Sequence, residues 1–222
     1  MPLHSVLKYK NITSVTPSVA EVYIWHITEE EEELISLVST RDLFEFQKKH
    51  ITHPRRRIEW LAVRALLHNI YPEAQIKYHP NGKPYLKAPT ECVYISISHT
   101  NGWVALVISP SPIGIDIEGW SDRPYQLSHR FLSSDEVKLL KSAEHPYNLA
   151  TQLWTAKEAA FKCFDQTYTR LITEITIHPS AECPDIFLVY GVGKGDKALI
   201  YKIDLEEFSL ALCSPHSMER LL

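Results

Sequence analysis

Asp116 and Glu118 stand two residues apart in Ile113-Gly-Ile-Asp-Ile-Glu118, a stretch that alternates apolar and polar positions. In a strand such positions point the same way, roughly 6.6 Å apart along the axis, so two carboxylates on one face can share one hard cation. Ile113, Ile115 and Ile117 then form the core-facing side, which fixes the register. Alone, the pair is equally what a half-exposed strand with a polar outer face presents. Trp154-Thr-Ala-Lys-Glu-Ala-Ala-Phe-Lys162 supplies another carboxylate: Trp154, Glu158 and Lys162 fall at i, i+4 and i+8 on one side of a helix. Taken singly, Glu158 and Lys162 are an ordinary exposed pair worth about 0.2–0.5 kcal/mol. Cationic residues lie in the first half: Arg55-Arg-Arg57 opens a helix, Lys83 sits in the turn Asn81-Gly-Lys-Pro84, and His99 follows Ser96-Ile-Ser98. An arginine run is usually a solvated surface, whereas rigid turns and strand ends aim side chains at clefts. The combination of a two-carboxylate strand, a Lys-Glu helix and a separate cation set is what magnesium-dependent phosphoryl transfer requires.

The elements that must position these residues are legible from periodicity. Residues 19–27 read as a strand, and Thr28 with Glu31 reads as a capping box opening an acidic helix. From Pro54, Ile58, Leu61, Ala62, Ala65 and Leu66 make a core-facing helical stripe. Residues 93–98 and 103–109 read as a hairpin turning at His99–Gly102, and Ser109-Pro-Ser-Pro112 as a short linker. Ser133-Ser-Asp-Glu136 starts another helix, and the longest helical pattern runs from about Tyr147 to Phe164. Leu171–His178, Asp185–Tyr190, Ala198–Ile203 and Phe208–Cys213 read as antiparallel strands. The fold class is α+β, in two halves at 1–110 and 111–222, each a small antiparallel sheet with helices.

Composition narrows the function classes. The 222 residues carry 23 Lys and Arg against 27 Asp and Glu, a net charge of −4 that offers a phosphate backbone no global attraction, so nucleic acid is not an expected partner. The four cysteines include no CxxC pair, which reads as a reduced, intracellular chain. The segment from Met1 to Lys8 lacks the pattern of a signal peptide, and no apolar run is long enough to span a bilayer. A soluble, cytoplasmic monomer without membrane partners is expected. Gly191-Val-Gly-Lys-Gly195 has the glycines of a phosphate loop, but strand patterns on both sides deny it the helix N-terminus an anion site uses, so it reads as a hairpin turn. His50 and His53 lack HExxH or Cys support for zinc. Cys163 beside Lys162 reads as helix packing.

Ser96-Ile-Ser98-His99, Ile113-Gly-Ile-Asp-Ile-Glu118, Phe131-Leu-Ser-Ser-Asp-Glu136 and Trp154-Thr-Ala-Lys-Glu-Ala-Ala-Phe-Lys162, in this order and with the Asn81-Gly-Lys-Pro84 turn, resemble the Sfp-type 4'-phosphopantetheinyl transferases. The resemblance implies a pseudo-two-fold fold with coenzyme A and magnesium in the cleft between the halves. It implies transfer of phosphopantetheine from coenzyme A, the co-substrate, to a serine of an acyl or peptidyl carrier protein, with release of adenosine 3',5'-bisphosphate. It further implies Asp116, Glu118 and Glu158 as magnesium carboxylates, Glu158 also as proton acceptor, and Lys162 as the cation at the pyrophosphate. Lys83, Ser98, His99 and Lys157 would contact coenzyme A, with Arg55 as arginine partner because it stands nine positions before Arg64. Arg56 and Arg57 compete for that register. Glu136 has two open readings, a further acidic site position or a helix cap to Ser133. Arg123 and Arg130 are candidates to meet an acidic carrier helix. A binding module without turnover and a magnesium-dependent phosphodiester hydrolase are the competing functions; the intact set Asp116, Glu118, Glu158 and Lys162 argues against the first.

Overall fold

A computed structural model describes residues 5–11, 18–87, 93–164, 174–190, 197–215 and 218–221. The chain begins with strands β1 (Ser5–Asn11) and β2 (Ser18–His26), then helices α1 (Glu31–Leu37), α2 (Thr40–Lys49) and α3 (Pro54–Ile70). The α1 capping box forms between Glu30 and Glu33, not between Thr28 and Glu31: in a run of five glutamates the side chain that reaches back is Glu33, onto the Glu30 amide at 3.0 Å. The helix α2 follows Ser39, whose hydroxyl accepts from the Asp42 amide at 3.1 Å. A small hairpin, β3 (Gln75–Tyr78) and β4 (Pro84–Lys87), turns through Gly82 at φ +85°, a conformation glycine adopts without strain. The hairpin β5 (Tyr94–Thr100) and β6 (Trp103–Ser109) turns on Asn101-Gly102, both at positive φ.

After the linker come β7 (Gly114–Gly119), α4 (Arg123–Gln126), a 3-10 turn (Ser128–Arg130), α5 (Ser134–Ser142) and α6 (Pro146–Cys163). Strands β8 (Thr176–Pro179), β9 (Ile186–Tyr190), β10 (Ala198–Asp204), β11 (Phe208–Ser214) and β12 (Met218–Leu221) complete the described chain. The glycine-rich turn expected at 191–195 lies outside the described residues, as does the first part of the strand expected from Leu171. Among the described residues no helix is long and apolar enough to cross a membrane.

Two five-stranded sheets organise the molecule, in the orders β12-β1-β2-β6-β5 and β7-β11-β10-β9-β8, every pairing antiparallel. Their apolar faces meet in a shared core: Ala20, Val22, Ile24, Ala105 and Val107 of the first against Ile115, Ile117, Leu210 and Leu212 of the second. The outer face of the first sheet is covered through Leu61, Ala62, Ala65 and Leu66 of α3, and that of the second through Leu153, Ala156 and Ala160 of α6. This is the α+β class expected, with antiparallel sheets packed by helices. The last strand, β12, returns to the edge of the first sheet beside β1.

Being covered on both faces, β7 is not the half-exposed strand its alternation allows. Its isoleucines face the other sheet, and the carboxylate side lies under α6. Gly114 permits this approach, since a Cβ there would collide with the backbone of Ala159 and Cys163.

Candidate active site

The two sheets are stitched at one edge, where β5 runs alongside β7. The alternation Ser96-Ile-Ser98-His-Thr100 puts three hydroxyls toward β7. Ser96 Oγ accepts from the Ile115 amide at 3.0 Å, Thr100 Oγ1 accepts from the Gly119 amide at 3.1 Å, and between them Ser98 donates to Asp116 Oδ1 at 2.7 Å. The seam satisfies edge amides of β7 that no strand pairs, and it aims His99 to the opposite side, into the cleft.

Asp116 is 3% exposed. Its Oδ1 also accepts from Lys162 Nζ at 2.6 Å, and the same ammonium reaches Ser98 Oγ at 3.1 Å. Ser98, Asp116 and Lys162, from β5, β7 and α6, thus meet at one junction where the two sheets adjoin. Asp116 Oδ2 is buried with no partner among the described residues, a costly state for a carboxylate oxygen. Glu118, two residues on, accepts from the Trp154 indole at 3.0 Å. Burial, with Asp116 beside it, pushes its carboxyl up to about 7, against the pull of the Trp154 hydrogen bond and Lys162. Glu158 is also raised, first by burial and then by Asp116, with Lys162 opposing. Asp116 contributes to raising both Glu118 and Glu158, so this corner is short of positive charge.

Among the described residues no group of three or more His, Cys, Asp or Glu side chains is already arranged as a metal cage. Magnesium does not need one: it takes one or two protein carboxylates and completes its octahedron with phosphate oxygens and water. The unpartnered Asp116 Oδ2 and the hard oxygen donors of Glu118 and Glu158 fit that requirement.

Of the three acids, Glu118 borders a cleft of about 520 Å³ whose wall also holds Arg55, Arg56, His99, Asn101 and Arg123. A second hollow of about 590 Å³, with Lys49, Trp60, Arg64 and Tyr78 in its wall, shares Arg56, Glu59 and His99 with the first. Arg64 is fixed beneath it, stacked 3.7 Å from the Trp60 ring centroid and donating to Tyr78 Oη at 3.1 Å. Arg57 turns away, paired with Glu31 and donating to the Ile51 carbonyl at 3.1 Å. Of the three consecutive arginines, Arg55 and Arg56 line the cleft. Lys83 reaches across to the second half, where its ammonium donates to the Cys163 carbonyl at 3.3 Å, at the C-terminus of α6.

Lys157 does not join the cleft. It is 0% exposed, and its ammonium donates to the Phe131 carbonyl at 2.7 Å, Glu136 Oε2 at 2.8 Å and the Ile175 carbonyl at 2.7 Å. All three donors are taken, so the expectation that Lys157 contacts coenzyme A is corrected. One residue along a helix is a rotation of about 100°, which carries Lys157 from the Glu158 face to the core. Glu136 is its partner and also a cap: it accepts from the Ser133 amide at 2.6 Å and, through Oε1, from the Ile177 amide at 2.7 Å. Its oxygens are committed to this brace among α5, α6 and β8. Cys163 is buried in the α6 core, as its packing role implies. Arg130 is exposed on the turn after α4. Motif reasoning passed over Glu59, whose signal was its i+4 spacing from Arg55 within an apolar stretch.

Residues 112–213 match the family model of the 4'-phosphopantetheinyl transferase superfamily. The chain is 29% identical over 145 residues to a 4'-phosphopantetheinyl transferase of Bacillus subtilis, covering 61% of this chain and 60% of that protein. It is 33% identical over 106 residues to one of Bacillus pumilus, covering 45% of each, and 27% identical over 148 residues to one of Aneurinibacillus migulanus, covering 64% and 60%. The chain thus spans about half to three fifths of the length of these relatives. The comparisons support the resemblance to Sfp-type members that the motifs carry.

Proposed function

We propose that this chain, whose second half matches the 4'-phosphopantetheinyl transferase superfamily, is itself a 4'-phosphopantetheinyl transferase acting on acyl or peptidyl carrier proteins in the cytoplasm. The observation that carries the reading is the junction of Asp116, Ser98 and Lys162, with Asp116 Oδ2 unpartnered among the described residues, beside a cleft where Glu118 shares a wall with Arg55, Arg56 and His99. A pyrophosphate needs cations on one side and a place to develop charge on the other, and this cleft supplies both.

The carrier serine oxygen bonds to the phosphorus that bears pantetheine, the bridging P–O bond breaks, and adenosine 3',5'-bisphosphate leaves. Glu158, raised above the ordinary carboxyl range by burial and Asp116, takes the serine proton. Lys162 lies one helical turn away and sets its ammonium against charge on the phosphates. Asp116, Glu118 and Glu158 would hold magnesium, whose chemistry when bound is to offset the charge on the pyrophosphate. Lys83, Ser98, His99 and Arg55 are assigned to the nucleotide and its 3'-phosphate, and the two hollows that meet at His99 give these groups room. The site is bounded on one side by Arg123, a candidate contact for an acidic carrier helix.

Intact mass measurement of several apo carrier proteins after incubation with coenzyme A and magnesium tests the reading. A phosphopantetheine adduct on the carrier serine is expected, and none without the metal. Release of bisphosphate with no carrier present would make it a hydrolase, and coenzyme A binding without turnover on any carrier a binding module.

A further inference from the structure

Glu59 has no task in the proposed chemistry, yet it is 7% exposed and lies between Arg55 and His99 of the cleft. Arg55 Nε donates to its Oε1 at 2.7 Å, and His99 Nδ1 stands 3.3 Å from its Oε2. The Arg55 and His99 side chains are 54% and 47% exposed. An ordinary i, i+4 pair is exposed on both sides and worth little; here the acid is buried and its second partner arrives from β5. A buried anion beneath a phosphate site would weaken that site unless its charge were consumed by groups that in turn grip the ligand.

We propose that Glu59 is a positioning residue, holding Arg55 and His99 together so that their outward nitrogens present one preformed anion grip. The proposal rests on the reading of the cleft as a coenzyme A site and names the phosphate-binding part of it. Arg55 uses only Nε on Glu59, which leaves both Nη groups for a phosphate's oxygens. His99 turns Nδ1 to the carboxylate, and a lone pair there would face negative charge, so that nitrogen carries the proton. Nε2 then points away from Glu59, and in the imidazolium form it is the donor that meets a ligand oxygen while the ring is held from behind. Glu59 acts through Arg55 and His99.

The test uses nitrogen-15 spectra of the histidine rings and calorimetry with adenosine 3',5'-bisphosphate and adenosine 5'-phosphate. In the wild type, His99 is expected to carry its proton on Nδ1 when neutral, and Glu59→Ala to release that preference. Glu59→Ala should weaken bisphosphate binding on the order of tenfold, the loss of about one charge-assisted contact. Adenosine 5'-phosphate binding should change far less, and kcat at saturating coenzyme A should stay within about twofold while KM rises. Glu59→Gln, which keeps one acceptor oxygen, should fall between and stands in should Glu59→Ala not fold. In an Arg55→Ala, His99→Ala background the Glu59 substitution should add little, which a merely structural role would not produce. A wild-type His99 protonated on Nε2 alone, unchanged bisphosphate affinity in the Glu59 variants, or no bisphosphate binding by the wild type overturns the proposal. Failure of the wild type to load any carrier defeats the transferase reading instead, while the ring spectra and bisphosphate affinities still judge Glu59.

Discussion

Both long helices carry an acid and a base four residues apart, and the two pairs come to opposite ends. On α3, Arg55 and Glu59 bond to each other directly. On α6, Lys162 passes over Glu158 and goes to Asp116 at 2.6 Å, leaving Glu158 without a hydrogen bond among the described residues. Helical spacing brings such pairs within reach but contributes only about 0.2–0.5 kcal/mol, so the neighbouring strand decides. β7 offers α6 a buried carboxylate, which outbids Glu158. β5 offers α3 an imidazole, which reinforces Glu59. The same sequence signal thus yields a closed pair on α3 and a parted pair on α6.

The comparison breaks first at Glu158. If its isolation from Lys162 reflects a role in proton transfer, Glu158→Gln should lower kcat by about 10²–10⁴-fold with little change in coenzyme A affinity. Single-turnover kinetics with a carrier, alongside coenzyme A titration, measure both. A Gln variant with wild-type kcat would make the parted pair an accident of packing.

Next is the brace that sets α6 in place. Lys157→Met leaves Glu136 buried without its cation and should cost about 3–5 kcal/mol in denaturant unfolding, while coenzyme A KM of the folded fraction is unchanged because Lys157 does not reach the cleft. A smaller effect, about 1–3 kcal/mol, is expected from Gly114→Ala, whose methyl would press α6 away from β7. That loss should be accompanied by slower transfer, since Lys162 and Asp116 sit across the same contact.

The least effect belongs to the surface pair that fixes the α1–α3 contact. Arg57 donates to Glu31 and holds its carboxyl below the ordinary range. Stability from that pair is therefore complete above the unfolded glutamate value and is lost as pH falls through the lower folded one. The small Tm difference between wild type and Glu31→Gln should be constant near neutral pH and vanish well below about pH 4. A difference that grows with acid would place the stabilisation elsewhere.

The sequence was most readable where one period held over several residues. The stripe from Ile58 to Leu66 and the alternation from Ile113 to Glu118 gave the long helix and the carboxylate strand their faces. Burial was harder. Nothing local to Asp116 says that α6 lies on it; the hint was Gly114, which reads as a mere spacer until the helix backbone is seen against it. Lys157 was misassigned because it adjoins Glu158 in a motif, although adjacency in a helix separates side chains by rotation. The Glu136 ambiguity dissolved for a related reason: a carboxylate has two oxygens, and capping Ser133 left capacity for Lys157 and Ile177. The helix α2 also carried a start signal in Ser39 and Asp42 and a short apolar face in Leu43 and Phe46.

The return of β12 to β1 has a consequence for the order in which the molecule is made. Residues 5–11 leave the ribosome more than two hundred positions ahead of the strand that flanks them. Until residues 218–221 follow, the outer edge of the first sheet remains an open ladder, able to recruit a foreign strand. Vectorial synthesis can finish α3 and the β5–β6 hairpin early, because their contacts are local. It completes the first sheet only with the C-terminal strand, so the β1 edge of that sheet is the last part of it to close.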